Sequence, residues 1–179
     1  MDLILKYLHY NFIIFLFSST IFCQEDLVGK EAYVFFSKTL EGDNFLLSEI
    51  IENDKPIFIN FFATWCSPCI EELPLLSDFY LKNKNSLEMI IIDVNNLSVI
   101  ENNLPIKLAE DPFIAQKILA KNNISFTSLF DKYAFIARQY GVTNLPHSVL
   151  IKDGIIVWEG KKKLTNISLN NLKLLINND

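Results

Sequence analysis

The hydrophobic pattern changes period along the chain, and each change marks an element. PIFINFF, Pro56 to Phe62, is an unbroken apolar and aromatic run of strand length, and LEMIIIDV, Leu87 to Val94, is a second. Runs of that length without polar alternation belong to strands covered on both faces of a sheet. Between them, residues 68 to 82 place apolar side chains at helical spacing, with Pro68 near the start, where its missing N–H costs nothing. Strand, helix and strand in that order predict a parallel pair joined by a right-handed crossover.

Toward the N-terminus, Ala32 to Phe36 and Asn44 to Leu47 are short β-like runs separated by Glu41-Gly42-Asp43, a turn signal, so they predict a hairpin. Ser48 opens a short helix that ends before Lys55-Pro56. The pattern weakens from Asn95 to Asp111, where it predicts an irregular connection with about one helical turn. A helix over Pro112 to Lys121 follows, then an extended run from Ile124 to Phe130 and a short helix from Tyr133 to Tyr140 that Gly141 stops. HSVLIKDGIIVWEG, His147 to Gly160, predicts two strands joined at Asp153-Gly154. Ser168 is the predicted cap of a last helix carrying Leu169, Leu172, Leu175 and Ile176 on one face.

Composition narrows the class. At 179 residues and 50% apolar content, the chain is long enough for one domain with a sizeable core. A net charge of −5 offers no basic stripe for phosphates, which argues against a nucleic-acid partner. The first 23 residues differ from the rest: one Lys early, then the apolar NFIIFLFSSTIFC, then an abrupt acidic turn at QEDLVGKE. That is the pattern of a secretory signal, residues 1–23, ahead of a domain spanning 24–179. Acylation of Cys23 is opposed by Phe22 before it, and a retained anchor by the shortness of the run and by Asn11 within it. Every one of these readings puts the domain outside the cytoplasm, in the periplasm or cell envelope, where disulfides persist.

That leaves Cys66 and Cys69, in FFATWCSPCIEELP, as the domain's cysteines. Zinc would need two more soft ligands, and His9 falls in the signal while His147 stands alone. A structural disulfide closing so short a loop constrains little chain entropy. Redox exchange remains. A strand ending near Thr64 and a helix beginning near Ser67 put Cys66 at a helix N-terminus, where unpaired N–H groups and the dipole favour thiolate. Cys66 is then the attacking sulfur and Cys69, one turn in, the resolving one.

Trp65-Cys66-Ser67-Pro68-Cys69 resembles the active site of the thioredoxin superfamily. Together with LEGDNFLLSEI, KPIFINFFATWCSPCIEELP and GVTNLPHSVLIKDG, it is similar to the TlpA/ResA-like branch, related to the redoxin and AhpC/TSA proteins, over roughly residues 30 to 177. The resemblance implies a thioredoxin fold, α/β with a central mixed sheet flanked by helices, here with an N-terminal β-hairpin. It also implies Cys66 as nucleophile, Cys69 as resolving thiol, Trp65 as a flat wall beside them, and Pro68 as a tuner of redox poise. Pro146 matches the family's cis-proline, whose loop offers backbone groups to a partner strand, and Pro74 the proline that kinks the active-site helix.

Where thioredoxins bury an acid, six residues before the first cysteine, this chain has Asn60. Glu72, three residues after Cys69, matches an acid of the ResA-like branch and is the candidate to take the Cys69 proton. The competing reading makes Glu71 and Glu72 solvated first-turn acids. His147, next to Pro146, reads as a solvated loop histidine, with stabilisation of the Cys66 thiolate or a bond to a partner as its functional alternative. The expectation is therefore an exported thiol-disulfide oxidoreductase with no dissolved cofactor and no metal. Its substrates would be disulfides of cell-envelope proteins, cytochrome c maturation cysteines among them, and an upstream membrane or periplasmic dithiol would restore it. Membrane attachment through the N-terminus stays open. An oxidase or isomerase of secreted proteins, and a redox-inactive peptide-binding module, are the alternatives.

Overall fold

The aromatic run that begins after Pro56 forms the middle strand of a five-stranded sheet. The computed structural model describes residues 26–94, 100–101, 104–105 and 112–177. In chain order the strands are β1 (Phe36–Lys38), β2 (Asn44–Leu46), β3 (Ile57–Phe62), β4 (Glu88–Asp93), β5 (Ile100–Glu101), β6 (Leu104–Pro105), β7 (Thr127–Phe130), β8 (His147–Lys152) and β9 (Ile155–Gly160). The helices are α1 (Leu47–Ile51), α2 (Ser67–Asn83), α3 (Pro112–Lys121), α4 (Phe135–Gln139) and α5 (Asn166–Asn177). The main sheet runs β7-β4-β3-β8-β9, parallel between β3, β4 and β7 and antiparallel between β3, β8 and β9. This is the mixed sheet of the thioredoxin fold, and β1 and β2 add the N-terminal hairpin.

Side chains of β3 alternate between two cores, as strand geometry requires. Phe58 and Phe62 face α2, α3 and α5 and join Leu73, Leu76, Leu119, Leu169 and Leu172. Ile57, Ile59 and Phe61 face the other way, onto Leu47, Ile136, Ala137 and Tyr140. Phe58, Phe61 and Phe62 are fully buried, each worth about 1.5–3 kcal/mol of transfer free energy. One position on the α2 side is polar: Asn60, paired in register with Ser148 of β8.

The sheet order, the crossover and the β8–β9 hairpin follow the sequence pattern, and several boundaries move. The Ala32–Phe36 run does not pair with β2. Ala32 N–H bonds Gly154 O at 2.8 Å and Glu31 bridges Ile155, so this segment crosses the β8–β9 turn, and pairing with β2 starts at Phe36. Ala32 and Phe35 are buried three positions apart, a spacing no regular strand provides. The helix expected from Tyr133 starts at Phe135, because the Asp131 carboxylate accepts the N–H groups of Phe135 (2.8 Å) and Ala137 (2.9 Å). Its end is as expected: Gly141, at φ +60°, and Val142 return their N–H groups to Arg138 and Ala137.

Thr165, not Ser168, caps the last helix. Thr165 Oγ1 accepts the Ser168 N–H and Ser168 Oγ accepts the Thr165 N–H, a reciprocal box across one turn. In the weakly patterned connection, β5 and β6 pair antiparallel, Ile100 opposite Pro105. The rest of that connection, and the signal segment 1–23, lie outside the described residues. No described helix is long and apolar enough to cross a membrane.

Candidate active site

β3 delivers the chain to the edge of the sheet, and four residues later the backbone turns into α2. The turn closes with Cys66 N–H on Ala63 O at 3.0 Å. Cys66 is the N-cap, in extended conformation (φ −84°, ψ 95°), and its Sγ accepts the Cys69 N–H at 3.3 Å. Pro68 lies in the first turn, where no intrahelical N–H is needed, and Pro74 sits inside the helix. Cys66 and Cys69 form a disulfide with Cα atoms 5.3 Å apart. The two sulfurs are unequal: Cys66 keeps 4% of its surface exposed and Cys69 none. Trp65, half-buried, packs against the α2-side core beside them.

The Leu145–Pro146 bond is cis. β8 begins at the next residue, running antiparallel to β3 with His147 opposite Phe61. Extended by one position, that register sets Pro146 level with Phe62, at the same sheet edge as the Trp65–Cys66 turn.

Glu72 is not a solvated first-turn acid. It is 1% exposed, one turn beyond Cys69, and its two oxygens are both engaged. Asn60 Nδ2 donates to Oε1 at 2.9 Å, and the backbone N–H of Leu164 donates to Oε2 at 2.7 Å. Burial pushes the Glu72 carboxyl above the usual carboxylate range, and the Leu164 N–H, Asn60 and the nearby Lys163 ammonium pull back against it. Glu71, one residue earlier, is exposed, paired with Lys163, and held below the usual range by that lysine.

The structure corrects the reading of His147. It is 1% exposed, and strand alternation turns it away from α2, onto the face where Phe61 meets it edge-on at 6.0 Å. Its Nε2 lies 3.1 Å from Glu159 Oε1, and Lys161 Nζ lies 3.1 Å from Glu159 Oε2. Burial lowers the imidazole below its usual value against the opposing pull of Glu159. His147 is thus on the opposite face of the sheet from the helix that carries the sulfurs.

Two partners were missed in the sequence: Leu164 and Ser148, whose Oγ accepts the second Asn60 Nδ2 hydrogen at 3.0 Å. Ser148 had a signal, because Asn60 and Ser148 interrupt otherwise apolar strands on the same face. Leu164 had none, since a backbone donor leaves no trace in residue type.

A dithiol-disulfide pair at a helix N-terminus, on a mixed sheet of this order with a cis-proline at the same end of the sheet, defines a thioredoxin-fold thiol-disulfide oxidoreductase. Comparison with known proteins agrees. Residues 28–159 match the AhpC/TSA family. The thiol-disulfide oxidoreductase ResA of Bacillus thuringiensis subsp. konkukian (strain 97-27) is 33% identical over 144 residues, covering 79% of this chain and 74% of its own. Among solved structures, a secreted Mycobacterium tuberculosis disulfide oxidoreductase homologous to E. coli DsbE superposes with a TM-score of 0.62 at 24% identity, over 79% of this chain and 93% of that one. StoA from Bacillus subtilis superposes with a TM-score of 0.59 at 22% identity, over 80% and 96%. The chain belongs to the AhpC/TSA family, and within it to the ResA-like protein-disulfide oxidoreductases.

Proposed function

We propose that the protein works outside the cytoplasm as a reductant of disulfides in cell-envelope proteins, cytochrome c maturation cysteines among them. The observation that supports this reading is the asymmetry of the pair: Cys66, with 4% of its surface exposed and a backbone N–H aimed at its sulfur, and Cys69, fully sealed behind it and next to a buried acid. The amide donor and the helix N-terminus favour the Cys66 thiolate. That thiolate attacks a substrate disulfide, forming a mixed disulfide and releasing one substrate sulfur as thiolate. The Glu72 carboxylate takes the Cys69 proton, and the new thiolate attacks Cys66 Sγ. The Cys66–Cys69 bond forms, the second substrate sulfur leaves, and two electrons have passed to the substrate.

Trp65 and the Pro146 loop border the sheet edge where Cys66 emerges, which supports their role as the surface a partner strand meets. Pro68 sets the first turn of α2 and so the poise of the pair. An upstream dithiol in the membrane or periplasm restores the thiols. Export is supported by the signal-like residues 1–23 and by a relative described as secreted; the same apolar run would serve for membrane attachment.

The test is the reduction potential of the Cys66–Cys69 pair, read from Trp65 fluorescence in thiol-disulfide buffers. A value near or below about −250 mV, toward the thioredoxin end of the scale, is expected of a reductant. A value near about −120 mV, at the DsbA end, would reverse the electron flow and favour an oxidase of secreted proteins.

A further inference from the structure

Asn60 makes two hydrogen bonds with one end of its amide and none with the other. Nδ2 donates to Glu72 Oε1 at 2.9 Å and to Ser148 Oγ at 3.0 Å, whereas the buried Oδ1 meets no donor among the described residues. Such an arrangement suits the carboxylate best, since a carboxylic acid keeps acceptor capacity but adds a donor that this setting leaves without a partner on Asn60. A carboxylate offers acceptors alone, so Nδ2 must face it; a carboxylic acid offers an O–H, which Oδ1 can accept. The two ends of an amide exchange places by a half-turn about one side-chain bond. Ser148 permits either setting, because its hydroxyl accepts from Nδ2 in one and donates to Oδ1 in the other.

We propose that Asn60 is a positioning residue that follows the proton on Glu72, presenting Nδ2 to the carboxylate and turning over to present Oδ1 to the carboxylic acid. Turning over leaves the two Nδ2 hydrogens unpaired in place of Oδ1, a cost that the bond from the Glu72 O–H must offset, so the turned setting is held only while Glu72 carries its proton. An acid at position 60 would need a proton of its own to sit against the carboxylate, and an apolar residue would serve neither state.

This rests on the reading that Glu72 takes the Cys69 proton. When Cys69 S–H gives its proton to the Glu72 carboxylate, the thiolate goes on to form the bond to Cys66, and the proton stays on Glu72 until it is released. Asn60 holds the acid through that interval. Among the described residues, the groups acting on Glu72 are the Leu164 N–H and Lys163 from the loop before α5, with Glu71 paired to that lysine, and neutral Asn60 from β3, which Ser148 of β8 holds in turn; Cys69 lies one turn earlier on the same helix.

Nuclear magnetic resonance on the whole chain tests the proposal directly, with ¹³C in glutamate carboxyls and ¹⁵N in asparagine amides followed across pH. The Asn60 side-chain amide resonances should shift with the same midpoint as the Glu72 carboxyl, and should become flat in Glu72→Gln. In Asn60→Leu the Glu72 midpoint should rise by about one pH unit, tenfold in the proton equilibrium, because the bond to the charged form is the stronger of the two lost. An Asn60 amide that stays flat while Glu72 titrates in the unmodified chain overturns the proposal and leaves the Glu72 reading intact. So does an unmoved midpoint in Asn60→Leu. A Glu72→Gln chain whose resolving step keeps its pH profile overturns instead the role of Glu72, and with it the step that Asn60 would serve.

Discussion

The backbone N–H of Leu164 donates to Glu72 Oε2 at 2.7 Å, across 92 positions of sequence. The acid behind the disulfide is thereby tied to the loop between the last strand and the last helix, and chemistry at α2 is coupled to the C-terminal part of the fold.

That burial has a consequence for stability. Glu72 lies above its ordinary value of 4.5, so the folded chain keeps a proton that the unfolded chain has already lost. The stability this contributes is full below the unfolded value and is lost as pH rises through the folded one. Glu72→Gln is neutral throughout and should lose that share of the slope. Denaturant midpoints between about pH 4 and 8 should fall less steeply than in the unmodified chain, with Asp131, also raised by burial, keeping part of the slope. Parallel curves would mean that Glu72 titrates normally.

Glu72→Gln should also slow turnover of a disulfide substrate by roughly 10²-fold, the low end for loss of a general base, since Cys69 would have no carboxylate to take its proton. The rate of resolution of a preformed mixed disulfide, followed by stopped flow across pH, is the measurement. The unmodified rate should climb as Glu72 ionises, and the variant should lack that limb. A variant resolving at the unmodified rate would remove Glu72 from the chemistry.

The unequal burial of the sulfurs predicts an asymmetric pair of variants. Cys69→Ser should accumulate a stable mixed disulfide on Cys66 when offered an oxidised protein, because the one sulfur that keeps any exposed surface still attacks and nothing resolves it. Cys66→Ser should trap almost nothing, its remaining thiol having no exposed surface. Intact mass on non-reducing samples distinguishes them, and equal trapping by both would contradict the assigned order.

Much of this was legible locally and some could not be. The period of the apolar runs carries β3, β4 and the crossover, and the Cys66-Ser67-Pro68-Cys69 turn announces a helix start, because both are set by neighbours in sequence. The face on which His147 lies is set by strand register, where a shift of one residue reverses every side chain, so the sequence could not place it relative to the sulfurs. Ser168 and Thr165 are hydroxyls three apart that cap each other, and pattern alone does not say which precedes the first turn. The burial of Glu72 depends on Leu164, a contact between distant segments that only the assembled sheet creates.

His147 supplies a prediction of opposite sign to that for Glu72. Burial holds its imidazole below the usual 6.5, so the unfolded chain binds a proton that the folded chain refuses. Stability present above the unfolded value is therefore lost as pH falls through the folded one. His147→Gln should flatten that loss between about pH 7 and 5. The pH profile of Cys66 alkylation should be unchanged, because the imidazole lies on the far face of the sheet. A shifted alkylation profile would return His147 to the site.

Gly160 ends β9 under the indole of Trp158, and a Cβ there would overlap Trp158 Cη2. Neither ring nor backbone can absorb that contact in place, so Gly160→Ala must displace the indole, which packs at 6.4 Å from Phe58. Overpacking of this kind costs about 1–3 kcal/mol, readable as a lowered urea midpoint. The effect should reach the site, because the chain runs from Gly160 directly into the loop that brings Leu164 to Glu72. With that N–H drawn back, the buried carboxylate loses a donor and its proton is held more tightly. In a Trp65→Phe background, where Trp158 alone fluoresces, Gly160→Ala should shift the emission and raise the pH at which the resolving step accelerates. A lowered midpoint with an unmoved pH profile would confine Gly160 to packing and show that the loop holds Leu164 on Glu72 independently of the strand before it.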